Sequence, residues 1–305
     1  MAPDSRRPLI LEIARIGLEV RSAAPEIDLV TDAAHEPFLK DGAGDDCASI
    51  VLAPAGVLRQ TCRPGKTLFD TGAVWRLEDV DGGHHLLTLR SPLYGADPYL
   101  QVEFDPSYAT GQGETLDGGP HLSGGTMHPF VYPFDEVVFL ARLAQSRGVL
   151  VHACGITYRG RGILLLGTSG AGKSTSARLW SERPLTQILS DDRIVIRPHG
   201  DTYRIFGTPW HGDADCESPG SSPLHAVFIL EQAPRNRIVE MKSSQAVAQM
   251  MVRAFPAMWD QKGLEFAVRF LSTLATQVPV RRLQFLPDGS SVDCVLEALG
   301  EADAP

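Results

Sequence analysis

Eight residues constrain this chain more than any others. Gly167-Thr168-Ser169-Gly170-Ala171-Gly172-Lys173-Ser174 fits the whole of the pattern G-x-x-x-x-G-K-[ST]. The pattern carries meaning only between a strand and a helix, and the flanks provide both. Residues 163–166 are a short apolar run bounded by glycines, which reads as a buried strand. Residues 173–180 hold no Gly or Pro, which reads as a helix start. Glycines here let successive backbone N–H groups turn inward as an anion cradle, and the helix N-terminus adds its positive dipole end. The expected phosphate-binding loop is Gly167, Thr168, Ser169, Gly170, Ala171, Gly172, Lys173, Ser174 and Thr175. Lys173 is placed to reach β/γ-phosphates and the Ser174 hydroxyl to reach a Mg²⁺ ion. The plainer alternative is a glycine-rich turn without a ligand.

Upstream, residues 156–158 and 163–166 flank Arg159-Gly160-Arg161-Gly162, which reads as two strands joined by a tight turn. An antiparallel hairpin feeding the loop departs from the parallel sheet and helical crossovers of ordinary P-loop proteins. His152 lies in the apolar run 149–153, where a satisfied core or strand-end histidine competes with a catalytic one. Asp191 and Asp192 interrupt a strand-like stretch over 188–196. Adjacent carboxylates at a buried strand are costly to desolvate unless a cation or a proton shares the site. Mg²⁺ coordination and general-base work both need such groups near phosphates. Strand alternation would send the two to opposite faces, leaving at most one toward the phosphates, with Asp192 favoured as base. The competing reading is a solvated strand end. His211, in Gly207-Thr208-Pro209-Trp210-His211-Gly212, belongs either to a structural turn or to a loop contacting phosphate or acceptor.

His152, the hairpin, GTSGAGKS and Asp191-Asp192-Arg193 together resemble the catalytic domain of HPr kinase/phosphorylase and its relatives. That superfamily includes phosphoenolpyruvate carboxykinase and sets its P-loop in a mixed sheet. The likeness extends to the HPr-kinase-related proteins of peptide-modification clusters, such as kinases of a lasso-peptide precursor serine. It covers roughly residues 134–299. The resemblance implies an α/β (α+β) fold in which a small β-rich N-terminal domain precedes a nucleotide-binding domain with a mixed sheet and flanking helices. It implies an ATP- and Mg²⁺-dependent serine kinase whose partner is a peptide or protein carrying that serine. Under it, Lys173 neutralises the transferred phosphate and Ser174 binds Mg²⁺. Asp191 and Asp192 share metal contact and deprotonation of the acceptor, His152 lies near the transferred group, and His211 lies beside the active site. Thr175 stands where HPr kinases usually carry glutamate. Alternatives are a kinase of a small-molecule hydroxyl, such as a free amino acid, and a non-catalytic ATP-binding regulator. HPr kinases are hexamers, so homo-oligomerisation is left open.

At 305 residues the chain has room for two domains, expected at 1–128 and 129–305. Its net charge of −9 argues against non-specific nucleic-acid binding and against anionic membrane surfaces. No apolar run approaches the ~20 residues of a membrane span, and residues 1–7 lead into no signal-peptide core. Five cysteines, Cys47, Cys62, Cys154, Cys216 and Cys294, show no C-x-x-C spacing, which fits a reducing compartment, by default the cytoplasm. Residues 1–20 alternate without deciding between strand and helix, and 23–65 read as loops with short strands or a mobile region. A hairpin is expected at 73–80 and 84–90, then a strand at 99–104, with His84 and His85 exposed beside the turn. The glycine-rich stretch 108–128 reads as a linker or mobile loop between the halves. Helices are expected at 134–147, packed on the loop-bearing sheet, and at 243–255, 264–276 and 292–299. Strands are expected at 202–206, 224–230 and 278–286, with 218–223 a polar lid and 302–305 a frayed tail.

Overall fold

A computed structural model describes residues 7–58, 65–95, 97–116 and 118–300, and the chain divides into two units, Met1–Arg142 and Leu143–Pro305. Cys62 and the tail expected at 302–305 lie outside the described residues. The fold is mixed α/β.

In the first unit the undecided N-terminal alternation resolves as strands β1 (Leu9–Ile13) and β2 (Ile16–Ser22). Their two-residue turn places Ala14 and Arg15 at positive φ, 52° and 63°. Such turns usually declare themselves by Asn or Gly, so the sequence carried no marker for this one. After the two-residue strand β3 (Asp28–Leu29) comes β4 (Cys47–Pro54), inside the stretch read as loops. There follow β5 (Lys66–Asp70), β6 (Trp75–Val80), β7 (His84–Leu89), β8 (Leu100–Phe104) and β9 (Thr110–Thr115). They form one eight-stranded sheet in the order β1-β2-β4-β9-β8-β7-β6-β5.

β9 corrects the linker reading of 108–128, because it lies in the sheet interior between β4 and β8. Its glycines are packing residues. A Cβ on Gly113 would sit 2.4 Å from the Gln101 carbonyl oxygen, and one on Gly111 would sit 2.9 Å from side-chain carbons of Ile50 and Phe104. The remainder of that stretch makes β10 (Leu122–Ser123) and β11 (Thr126–Met127), which pair with each other, β11 pairing in turn with β3. His84 and His85 are half-buried rather than exposed, His84 beside Glu103 and His85 bonded to the Tyr108 hydroxyl at 2.6 Å. The first helix, α1 (Phe134–Ala144), carries its expected first-turn acids. Within the first unit, Phe134 stacks on Phe104 and Arg142 pairs with Asp46.

The second unit begins with β12 (Val149–Tyr158) and β13 (Arg161–Leu166), the expected hairpin. Arg159 and Gly160, at φ 49° and 78°, make its two-residue turn. Helix α2 (Lys173–Ser181) follows, then β14 (Thr186–Ser190), β15 (Arg193–His199), β16 (Thr202–Phe206) and β17 (Ser221–Gln232). β17 starts earlier than expected. Ser221–Phe206 and Pro223–Arg204 register pairs place residues 221–223 of the supposed lid in the sheet. β18 (Arg237–Glu240), α3 (Ser243–Met251), α4 (Gln261–Gln277), β19 (Val280–Phe285) and α5 (Ser290–Ala298) complete the unit.

β12 pairs antiparallel with β13, β14 and β15, while β13 runs parallel to β17 and β17 parallel to β19. Apolar side chains on one face pack with α3 and α4 through Met250, Leu271 and Leu274. Those on the other pack with α2 and α5 through Ala177, Trp180 and Val295. The alternating burial of β12 and β13 into two cores fixes their register, since a one-residue slip would exchange the faces. Among the described residues no helix is long and apolar enough to cross a membrane.

Candidate functional site

The hairpin delivers the glycine-rich loop at the end of β13. The Gly167 N–H donates to the His152 carbonyl at 3.3 Å, which sets His152 beside the start of the loop. Gly170 and Gly172 have φ of 75° and 102°, and a Cβ on Gly172 would lie 2.6 Å from the Phe285 ring. Only glycine meets both demands at 172. Lys173 opens α2, is 7% exposed, and donates from Nζ to the Thr168 carbonyl at 3.2 Å. Burial pulls its pKa below the ordinary lysine value, against the upward pull of the Asp192 charge.

β14 ends at Ser190 and β15 begins at Arg193, so Asp191 and Asp192 occupy a break between strands. Strand alternation therefore does not govern the pair: Asp191 bonds Ser174, and Asp192 bonds His152. Asp191 is fully buried. It accepts from Ser174 Oγ at 2.7 Å, from the Gly212 N–H at 2.7 Å and from the Ala214 N–H at 3.0 Å. Ser190 stabilises the bend: its Oγ accepts from the Asp192 and Arg193 N–H groups and donates to the Trp210 carbonyl. Asp192 Oδ1 lies 2.7 Å from His152 Nε2, and its Oδ2 is paired with Arg193. Burial works against the Asp192 charge. The His152 hydrogen bond and the positive charges of Arg193 and Lys173 outweigh it and hold the carboxyl below its usual range.

A cavity of about 320 Å³ opens beside these groups. Ser169, Gly170, Gly172, Lys173, Ser174 and Thr175 form its loop side, and His152 and Asp192 stand with them. Gly167, Thr168 and Ala171 belong to the loop without lining the cavity, and Asp191 is held behind it by its three donors. His211 is exposed, off the cavity lining, with Nδ1 3.1 Å from Asp215 and from the Gly212 carbonyl oxygen. Arg178, Gly212, Asp213 and Gln232 complete the lining and were not singled out from the sequence. Arg178 had a usable signal, since it follows Ser174 by four positions on one helical face. It donates to the Asp213 carbonyl at 2.8 Å. Gln232, which donates to the Gly170 carbonyl at 3.1 Å, had none, because only the pairing of β17 with β13 brings it there. Among the described residues no group of three or more His, Cys, Asp or Glu side chains is arranged to hold a metal ion.

Fold and site define a mixed α/β unit with a G-x-x-x-x-G-K-S loop between a hairpin strand and a helix, facing a His–Asp pair. Within the chain, residues 135–283, just under half its length, match the family model described as SynChlorMet cassette protein ScmC. A solved structure of the Hpr(Ser) kinase/phosphatase from Coxiella burnetii aligns at 14% identity. The alignment covers 50% of this chain and 87% of that one, with a TM-score of 0.28. No curated protein matches the chain.

Proposed function

We propose that the chain is an ATP- and Mg²⁺-dependent kinase that transfers a phosphoryl group to the hydroxyl of a serine in a peptide or protein. One observation carries this reading. Lys173 and Ser174 on the loop and the His152–Asp192 pair line the same cavity of about 320 Å³. Phosphoryl transfer asks little covalent chemistry of a protein. It needs phosphates held in line, negative charge neutralised and an acceptor hydroxyl oriented and deprotonated. Lys173 supplies the cation, backbone N–H groups of the loop supply the cradle, and the His–Asp pair supplies the acceptor side. Ser174 Oγ and Asp191 Oδ2, 2.7 Å apart, are hard oxygen donors. They suit Mg²⁺, which takes one or two protein oxygens and fills its octahedron with phosphate oxygens and water. Bound there, the ion would neutralise charge developing on the phosphates.

The description of the matching family as a cassette protein directs the search for the acceptor to products encoded beside this chain. The test is purified chain with Mg²⁺, γ-labelled ATP and those neighbouring peptides, read by mass spectrometry. A phosphate adduct on a serine, lost in Lys173→Ala, supports the reading. Tight ATP binding with no label reaching peptide, free amino acid or water refutes it and leaves a nucleotide-binding regulator.

A further inference from the structure

Within the kinase reading, on whose nucleotide half this inference rests, we propose that Arg178 is a second phosphate-binding cation of the cavity. It reaches the nucleotide's phosphate chain from one turn further along α2. Arg178 follows Ser174 by four positions, so both side chains leave the same face of the helix, about 6 Å apart along its axis. Both line the cavity, with Lys173 and Thr175 beside them.

The guanidinium is little committed elsewhere. Its one side-chain hydrogen bond among the described residues runs from Nη2 to the Asp213 carbonyl oxygen at 2.8 Å, a neutral acceptor. A guanidinium carries five N–H donors in a planar fork, so most remain for a ligand. The chain holds 37 Asp and Glu against 28 Lys and Arg, so carboxylates are plentiful. Arg142, Arg183, Arg193 and Arg281 each meet one, whereas Arg178 meets none among the described residues. Asp213 lines the same cavity, but it is exposed and only its main-chain oxygen touches the arginine. That bond, in a segment Asp191 ties through Gly212 and Ala214, holds the guanidinium at the cavity wall.

Lys173 alone leaves the site short of positive charge. It faces Asp192, and Asp191 lies behind the loop against Ser174. With His152 left aside and Arg178 removed, Lys173 and Arg193 would stand against Asp191, Asp192 and Asp213. Acids would outnumber bases around a cavity meant for an anion. Arg178 brings the two signs level. A Mg²⁺-bound triphosphate stays anionic, and the arginine fork matches two phosphate oxygens at once.

The test is titration calorimetry of wild type, Arg178→Gln and Arg178→Lys with ATP and Mg²⁺, at low and high salt. Glutamine keeps an N–H donor for the Asp213 carbonyl but carries no charge. Lysine keeps the charge and loses the fork. Kd should rise about tenfold or more in Arg178→Gln, as for the loss of a charged hydrogen bond, and by less in Arg178→Lys. Added salt should weaken wild-type binding more than binding to Arg178→Gln. Hydrogen exchange over residues 210–216 separates this role from a structural tether and should stay near wild type in Arg178→Gln. An unchanged Kd in that variant overturns the assignment and leaves the kinase reading standing. So does weakened binding that comes with faster exchange over 210–216 and is not restored by lysine. Wild type that binds ATP but transfers no label overturns the kinase reading alone, since the Kd comparison still decides the role of Arg178. Wild type that binds no ATP overturns both.

Discussion

Replacing Asp191 by alanine removes the acceptor of three hydrogen bonds at a fully buried point. The Ser174 hydroxyl can rotate to another partner. The N–H groups of Gly212 and Ala214 cannot, because they are fixed by the course of the backbone. Gly212 and Ala214 are half-buried, and each donor stranded there costs up to about 1–3 kcal/mol, so the pair costs up to about 2–6 kcal/mol. Asparagine has the same shape but one acceptor oxygen. If that oxygen serves Gly212 N, 2.7 Å from Asp191 Oδ1 in the wild type, the new amide group confronts the Ala214 N–H donor to donor. One stranded donor then costs up to about 1–3 kcal/mol. Hydrogen exchange read by mass spectrometry over residues 210–216 measures this locally. At about 1.4 kcal/mol per tenfold, these costs at full value raise the opening equilibrium by about 30-fold or more in Asp191→Ala, and by about fivefold or more in Asp191→Asn. Exchange at wild-type rates in the alanine variant would refute the claim that this carboxylate ties the segment to the glycine-rich loop.

His35, with Nδ1 2.7 Å from Asp32 and Nε2 3.1 Å from Asp135, should give the first unit a pH-dependent stability. Burial opposes its charge, but Asp135 and Asp32 outweigh that and raise its pKa above the ordinary 6.5. Its contribution is therefore fully present below the unfolded value and lost as pH rises through the folded one. Thermal melts above neutrality should show the decline, and His35→Gln should flatten it. Gly113→Ala should destabilise the same unit by about 1–3 kcal/mol in urea melts, because its Cβ would meet the Gln101 carbonyl oxygen at 2.4 Å. Gly172→Ala, strained at φ 102° and 2.6 Å from the Phe285 ring, should lose nucleotide binding by calorimetry, while a fold-preserving control, Val252→Ala on the exposed surface, retains it. If the proposed Mg²⁺ site is right, titration with Mg²⁺ alone should give no tight binding and binding should appear once nucleotide is present, since Ser174 Oγ and Asp191 Oδ2 are the proposed protein ligands and the phosphates would complete the set.

What was legible in the sequence follows from how local each signal was. The glycine-rich loop, the hairpin before it and the strands at Thr202–Phe206 and Val280–Phe285 depend on contiguous residues, and each was read from its own stretch. β9 was hidden because its glycines answer to β4 and β8, strands distant in sequence. Their absent side chains are demanded by Ile50, Gln101, Val102 and Phe104, and composition alone makes such a strand look like a linker. The β1–β2 turn was hidden for the opposite reason, since Ala14 and Arg15 adopt positive φ without the residues that advertise it. At the candidate site, the loop, His152 and the acidic pair were visible as residue types. Their contacts were not. Phe255 under Arg193 and Gln232 against Gly170 arise from sheet pairings and from the path of the chain after α3.

The acidic pair shows why identity and spacing carried the argument only part of the way. Had Asp191 and Asp192 continued a strand, one would have faced a core and the other the opposite face. The break after Ser190 frees them from that alternation and gives each a different electrostatic solution. Asp191, buried, is answered by two backbone N–H groups and a hydroxyl, dipoles that bring no counter-charge. Asp192, half-buried at the cavity wall, is answered by His152, Arg193 and Lys173. A carboxylate satisfied by main-chain donors holds backbone in place, and Asp191 does so for Gly212 and Ala214 while its Oδ2 also meets Ser174, the proposed Mg²⁺ partner. One satisfied by side chains lines the cavity beside the glycine-rich loop. Two neighbours of identical chemistry are thus separated in surroundings by what the bend at Ser190 brings against them, and one serine hydroxyl fixes that bend by accepting two backbone N–H bonds and donating one.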